Sequence, residues 1–267
     1  MMLSNSTFKR LTFMLAIALS STRFAVSPAF AVDHDNIDAH RPLDFDDAET
    51  IAFREKSLEF GASVVKPQNG KAGVAGEIEY LYGFQKNWHL SIGFDPSLLS
   101  DGNSRRADIG DVSLGVQHNF NRETESSPAF GFRADATLPT GRNSRGLDFR
   151  LRGIASRKLG AYGRVHLNLD LNVEGRARDG ESSTRSGAIL GYSQPLGYPS
   201  RFDRTLVAQI GVRANEQRGE SAITTLGVGL RQQITPQSVF DIGFKSDVSG
   251  GANRDTLQLV AGYSKAF

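Results

Sequence analysis

The chain has 267 residues, no cysteine, 28 glycines and 31 basic against 29 acidic side chains. Without cysteine there is no disulfide framework and no thiolate metal site. A charge this close to balance leaves no electrostatic footprint for nucleic acid, and none is expected as a partner.

Residues 1–31 read as a secretory signal. Lys9 and Arg10 precede the apolar run Leu11 to Leu19, and Ala29-Phe30-Ala31 is a small-x-small site, placing the cut before Val32. The apolar run is too short to span a bilayer as a helix, and no later stretch reaches ~18 consecutive apolar residues. The leader takes away Lys9, Arg10 and Arg23 and no acid, so the formal charge of +2 becomes about −1 in the mature chain. Residues 32–56 follow with Asp33, Asp35, Asp38, Asp44, Asp46, Asp47 and Glu49 against Arg41. Dense charge with little alternation predicts an acidic, mobile periplasmic extension. His34 and His40 lie among these acids as solvated polarity; no metal and no cofactor is expected.

From residue 57 to 267 the period is two, which puts alternate side chains on opposite faces of a strand. Leu58, Phe60, Ala62 and Val64 oppose Glu59, Gly61 and Ser63. Ile78, Tyr80, Tyr82 and Phe84 then oppose Glu77 and Glu79. Trp88, Leu90, Ile92 and Phe94 stand against His89, Ser91 and Asp95. Val112, Leu114, Val116 and Phe120 stand against Asp111, Ser113, Gln117 and Asn119. Phe130, Phe132, Ala134 and Leu138 face away from Arg133, Asp135 and Thr137, as Phe149 and Leu151 do from Asp148, Arg150 and Arg152. The cleanest strand sets Val165, Leu167, Leu169, Leu171 and Val173 against His166, Asn168, Asp170 and Asn172. Thr184 to Ser193 alternates weakly. Leu206, Ala208, Ile210 and Val212 oppose Gln209 and Arg213. Leu226, Val228 and Leu230 oppose Thr225 and Arg231. Phe240, Ile242, Phe244 and Val248 oppose Asp241, Lys245 and Asp247. Leu257 to Phe267 closes the series on a terminal aromatic.

The same alternation would suit a soluble sandwich or lipocalin. Three features favour a membrane. The polar faces carry charges of both signs, as a wet lumen would. Phe60, Phe84, Trp88, Phe120, Phe130, Phe240 and Phe267 cluster at strand ends on one rim, as an interfacial girdle does. The final strand resembles the signal read by the outer-membrane barrel assembly machinery, an expected partner through Phe267. The expected fold is all-β: a transmembrane, antiparallel, up-and-down β-barrel of about twelve strands over residues 57–267, in the bacterial outer membrane.

With both termini periplasmic, Gln85-Lys86-Asn87, Leu159 to Gly163 and Thr235 to Ser238 are short inner turns. Pro96 to Asp108, Pro139 to Leu147 and Glu174 to Ser183 are long outer loops. The inner connections Asn121 to Pro128 and Gln194 to Asp203 are long enough to leave room for ten strands. Outer-loop Arg105, Arg106, Arg142 and Arg145 are candidates for lipopolysaccharide phosphate, which guanidinium forks bind well. Outer-membrane lipid is the expected surrounding.

No nucleophile elbow, Walker loop, HExxH helix or EF-hand loop is present, and no enzymatic activity is expected. His166, Asn168 and Asp170 share one strand face, but side chains in a row point in parallel and do not converge as a triad must. Glu59, Glu77, Glu79, Asp95, Asp111, Arg133, Asp135, Arg150, Arg152, His166, Asp170, Arg213, Arg231, Lys245 and Asp247 are instead predicted to line the lumen.

Ile109-Gly110-Asp111-Val112-Ser113-Leu114-Gly115-Val116 resembles the Gly-Asp-(Val/Leu)-x-Leu strand of the transporter-like outer-membrane barrels named for the MetA pathway of phenol degradation. Leu138-Pro139-Thr140-Gly141 is similar to that family's Leu-Pro-Thr-Gly, and Leu159-Gly160 leading into His166-Leu167-Asn168-Leu169 to its next hairpin. The resemblance covers roughly residues 109–173 and implies a barrel that moves small, often aromatic or hydrophobic, solutes. Passive passage through a narrow lumen is therefore expected. The alternative is a non-conducting structural or surface-interaction barrel, because opposed acids and bases can seal a small lumen.

Overall fold

The computed structural model describes residues 41–267, apart from 102–103, 143, 198–199, 202 and 252 and the side chains of 99–101 and 104–106. The signal sequence, its cleavage site, His34 and His40 therefore lie outside the described residues. Fourteen strands occur in chain order: β1 Lys56–Pro67, β2 Gly73–Gln85, β3 Trp88–Phe94, β4 Ser97–Asp101, β5 Ser104–Asp108, β6 Val112–Asn119, β7 Ala129–Leu138, β8 Asp148–Leu159, β9 Gly163–Val173, β10 Thr184–Pro195, β11 Arg204–Arg213, β12 Ile223–Thr235, β13 Ser238–Ser249 and β14 Asp255–Ala266. Twelve of them form the wall; β4 and β5 pair with each other and touch the wall only at the outer end of β2. The expected outer loop Pro96 to Asp108 is thus largely a hairpin.

Every wall strand pairs antiparallel with its neighbour, and β1 pairs with both β2 and β14, so the sheet closes on itself. Closure removes the unpaired edges that an open sheet would expose to lipid. Twelve strands is the expected number, and no described residue is helical. About eleven residues per wall strand at ~3.3 Å each, tilted by ~45°, rise about 26 Å, enough for the ~25 Å apolar band of an outer-membrane barrel.

The molecule is inside-out. Leu90, Ile92, Leu169, Leu190, Ile242 and Val228 are all exposed, at 45–54 % of their surface, whereas Glu59, His89, Gln117, His166 and Asn168 are at most 1 % exposed. An apolar exterior of this extent is stable only against lipid. At the inner rim, Trp88 stacks on His118 with ring centres 4.0 Å apart, and His118 meets Phe120 edge-on at 4.8 Å.

β10, whose alternation is weak in sequence, is a full twelve-residue strand. Its outward face is ordinary (Ala188, Leu190, Tyr192), but Gly187, Ile189 and Gly191 face inward. Gly191 and Ile189 face the chain's own N-terminal segment, and Gly187 faces the Arg213 side chain of β11.

Candidate functional site

The acidic segment expected outside the barrel as a mobile extension is described from Arg41; it lies inside the barrel up to Ile51, and Phe53 and Arg54 are exposed where it leads into β1. Leu43, Phe45, Asp46, Asp47 and Ala48 are at most 2 % exposed. The inner end of this strap bonds β2, Arg54 N–H donating to Gly83 O at 2.6 Å and Gly83 N–H to Glu55 O at 3.0 Å; beyond that the strap is in no strand ladder, so its backbone groups need other acceptors and donors. Inward-facing side chains of the wall supply them. Asp46 N–H donates to Asn168 Oδ1 at 2.7 Å and Asn168 Nδ2 donates back to Asp46 O at 3.0 Å. Ala48 N–H donates to Ser156 Oγ at 3.0 Å, and Asn119 Nδ2 donates to Ala48 O at 3.0 Å. Gln117 Nε2 donates to the carbonyls of Asp47 and Glu49 at 3.2 and 3.0 Å. Asp44 N–H donates to Gln209 Oε1 at 2.8 Å.

Followed from Glu55 back to Arg41, these contacts pass from β2 and β3 to β6–β8, β9–β10, β11, β12 and finally β13, β14 and β1, one circuit of the inner wall. Glycine makes room for it. A methyl at Gly83 would strike Ala52; at Gly131, Ala48; at Gly191, the Phe45 ring; at Gly227, Leu43; at Gly229 and Gly243, Pro42; at Gly61 and Gly262, Arg41. All eight are on the lumen face of their strands.

Charge fixes the ends and the middle. Arg41 donates to Glu59 Oε2 at 2.5 Å and lies 3.5 Å from Glu77. Arg152 Nη1 donates to Asp46 Oδ2 at 2.7 Å and to Asp44 O at 2.9 Å, while its other edge holds Asp170. Lys245 donates to Asp44 Oδ1, and Gln209 Nε2 to Asp44 Oδ2 at 2.7 Å. Burial alone would raise the Asp44 carboxyl, but the charge of Lys245, the hydrogen bonds and Arg152 together hold it below its ordinary value. Nearer the inner rim the balance reverses: burial and the neighbouring Asp47 push Glu49 up, against the pull of Arg164.

The strap divides the lumen. Around it, Gln117, Ser156, His166 and Asn168 are 0 % exposed, so the strap and the wall are packed against each other there. Above it the side chains of Glu77, Arg150 and Arg213 are 34, 28 and 46 % exposed. Two cavities of about 490 and 370 Å³ open there, and Asp44, Arg150, Arg152 and Asn172 line both. Asp44 of the strap is part of their common floor.

The sequence-predicted lumen residues fall into these two zones. Glu59, His166 and Arg231 are buried around the strap, Arg231 opposite Asp241 in the β12–β13 register. His166 sits between the hydroxyls of Ser156 and Ser193 at 3.0 and 3.1 Å. Glu79, Arg133, Asp135 and Arg150 form a chain of ion pairs at 2.8–2.9 Å on the cavity wall. Asp95, Asp170, Arg213, Lys245 and Asp247 line the cavities, with Arg213 on Asp247 at 2.8 Å. Asp111 is at the mouth, accepting from Gly141 N–H at 2.8 Å and from Ser144 Oγ. Thr140 bridges the same two segments, accepting from Val112 N–H at 2.9 Å and donating to Gly110 O at 3.3 Å. The Gly-Asp and Leu-Pro-Thr-Gly motifs are therefore one clasp between two outer connections. Arg142 and Arg145 are exposed on the β7–β8 loop, whereas the side chains of Arg105 and Arg106 lie outside the described residues.

Sequence reasoning missed the strap residues and the glycines that seat them. The signal was available: Leu43, Phe45 and Ile51 are apolar residues at odds with a solvated tail, and inward glycines recur on strands whose other lumen residues are polar. No group of three or more His, Cys, Asp or Glu able to hold a metal occurs among the described residues.

A closed twelve-stranded sheet, apolar outside and charged inside, is the architecture of bacterial outer-membrane channels. The chain belongs to the family described as "Putative MetA-pathway of phenol degradation", which matches residues 39–259, a span that includes the strap. In fold it is similar to an outer membrane channel from Pseudomonas putida F1, with 15 % identity and a TM-score of 0.67 over 84 % of this chain and 100 % of that one. It is similar also to KdgM porin (9 % identity, TM-score 0.55, 79 % of this chain and 99 % of that one). NanC porin is a third (13 % identity, TM-score 0.55, 79 and 98 %). No curated protein sequence matches the chain.

Proposed function

We propose that this barrel passes small solutes across the outer membrane, with the strap as the element that must shift for passage. The observation that carries the reading is the contrast within one lumen: an outward half lined by exposed Glu77, Arg150 and Arg213, and an inward half closed by a segment that belongs to no strand. A barrel built only as a scaffold has no use for a charged vestibule of about 490 Å³. Small hydrophobic or aromatic solutes suit the family, and the porins of like fold support passage as the activity.

We propose as further partners lipopolysaccharide phosphate at Arg142 and Arg145, and the outer-membrane barrel assembly machinery at the terminal strand. The last strand supports the latter: Phe267 N–H donates to Lys56 O at 3.0 Å, so the terminal aromatic completes the β14–β1 seam.

Planar-bilayer recording tests the reading. The full mature chain should show small or infrequent steps, and a variant lacking residues 41–54 should show larger, sustained ones that Arg150→Ala alters. A strap-less barrel that is folded but silent would instead favour the non-conducting alternative.

A further inference from the structure

The floor of the smaller cavity and the strap sequence Asp44-Phe45-Asp46 meet at one place. Phe45 is 0 % exposed. Its ring lies 5.1 Å from the His166 imidazole, tilted by 30°, over the bare backbone of Gly191. It packs with Leu43 and Val207, and Ile189 closes against them. The carboxylates on either side take cations and amides of the wall: Asp46 takes Arg152 at 2.7 Å, and Asp44 takes Lys245 together with Gln209 at 2.7 Å. Ile189, Gln209, Arg152 and Lys245 also line the cavity of about 370 Å³ above. That volume is within the ~300–1,000 Å³ of small-molecule sites. The wall thus offers one seat for a ring, bordered by two cations on the floor of that cavity, and the chain itself fills it with a ring bordered by two carboxylates.

We propose that this seat is a binding site for small aromatic carboxylates, self-occupied by Phe45 and its flanking aspartates. A solute carboxylate arriving on the cavity floor competes with Asp44 for Lys245 and with Asp46 for Arg152, its ring competes with Phe45 for Gly191 and His166, and the strap loosens as the solute gains the seat. The carboxylates Glu77 and Asp95 across the vestibule orient such a solute with its charge toward the Arg152–Lys245 side. This inference rests on the channel reading and deepens it by naming a solute class and the contact that solute must break.

The test is equilibrium dialysis of the full mature barrel in detergent against radiolabelled benzoate, with acetate and benzyl alcohol as probes lacking the ring or the charge. Phe45→Ala vacates the ring seat and should retain benzoate at least about ten-fold better than the parent, with both other probes weaker. Adding Lys245→Met should remove most of that gain. In the parent protein, saturating benzoate should speed hydrogen exchange at the Asp46 and Ala48 amides, a readout that needs no variant to fold. A folded Phe45→Ala barrel that binds benzoate no better than the parent, benzoate binding no better than acetate, or exchange unmoved by benzoate would overturn the proposal. Binding is read here without transport, so a barrel that holds benzoate and conducts nothing would defeat the channel reading and leave the site standing.

Discussion

Replacing Gly191 with alanine should unseat the strap without touching it. The added methyl would stand 2.5 Å from Cδ2 and Cγ of the Phe45 ring, well inside ordinary carbon contact of about 3.5–4 Å. The wall cannot yield, because Gly191 is held in register between Gln209 on β11 and His166 on β9. The ring must move instead, and full burial of a phenylalanine is worth about 1.5–3 kcal/mol. A loss of about 2 kcal/mol lowers the ratio of seated to released strap roughly 30-fold, since about 1.4 kcal/mol is a factor of ten. Hydrogen exchange reads that ratio directly at the Asp46 and Ala48 amides, which are docked on Asn168 and Ser156. Exchange there should quicken roughly 30-fold, with larger conductance steps. Gly153→Ala is the control, because a methyl at Gly153 meets nothing within 4 Å. Unchanged protection in a folded Gly191→Ala barrel would refute the argument that the glycine face seats the strap.

Acid should loosen the strap as well. The Asp44 carboxyl is held below its ordinary 3.8, so its contribution to seating is complete above that pH and fades as pH falls through the depressed value. The difference in conductance between the parent and Asp44→Asn should therefore be constant through the neutral range and disappear only in acid below 3.8; a difference that disappears nearer neutrality would refute the assignment to Asp44. Asp111→Ala removes the acceptor for Gly141 N–H and Ser144 Oγ, a local loss of about 1–3 kcal/mol, and trypsin should cut faster at Arg142 and Arg145. Equal cutting rates would show that the clasp does not hold the loop. Arg142→Ala combined with Arg145→Ala should reduce the thermal stabilisation that lipopolysaccharide confers on the detergent-solubilised barrel, and an undiminished shift would place lipid contact elsewhere.

The strands were legible because burial against lipid on one side and water on the other writes itself into every second residue. Val165 to Val173 could be read directly, and its faces are as expected. β10 was the weakest strand in sequence for a reason the strap supplies: where the wall meets Phe45 and Leu43, its inner face is Ile189 and Gly191, so the polar half of the alternation disappears there. The β4–β5 hairpin was hidden for a different reason. It projects beyond the lipid, so nothing imposes an apolar face on it.

By itself, the sequence determined the class of fold, a count of about twelve strands with ten left open, their faces and the charged lining. All of these follow from local periodicity and from the rule that lipid leaves no backbone group unpaired. Only the tertiary structure decided that residues 41–51 turn inward and divide the lumen. The strap's partners, Asn168, Ser156, Gln117, Gln209 and the inward glycines, are scattered along the chain and converge only once the sheet has closed, so Asp46 and Asp44, which look like part of a solvated tail in one dimension, find Arg152 and Lys245 in three.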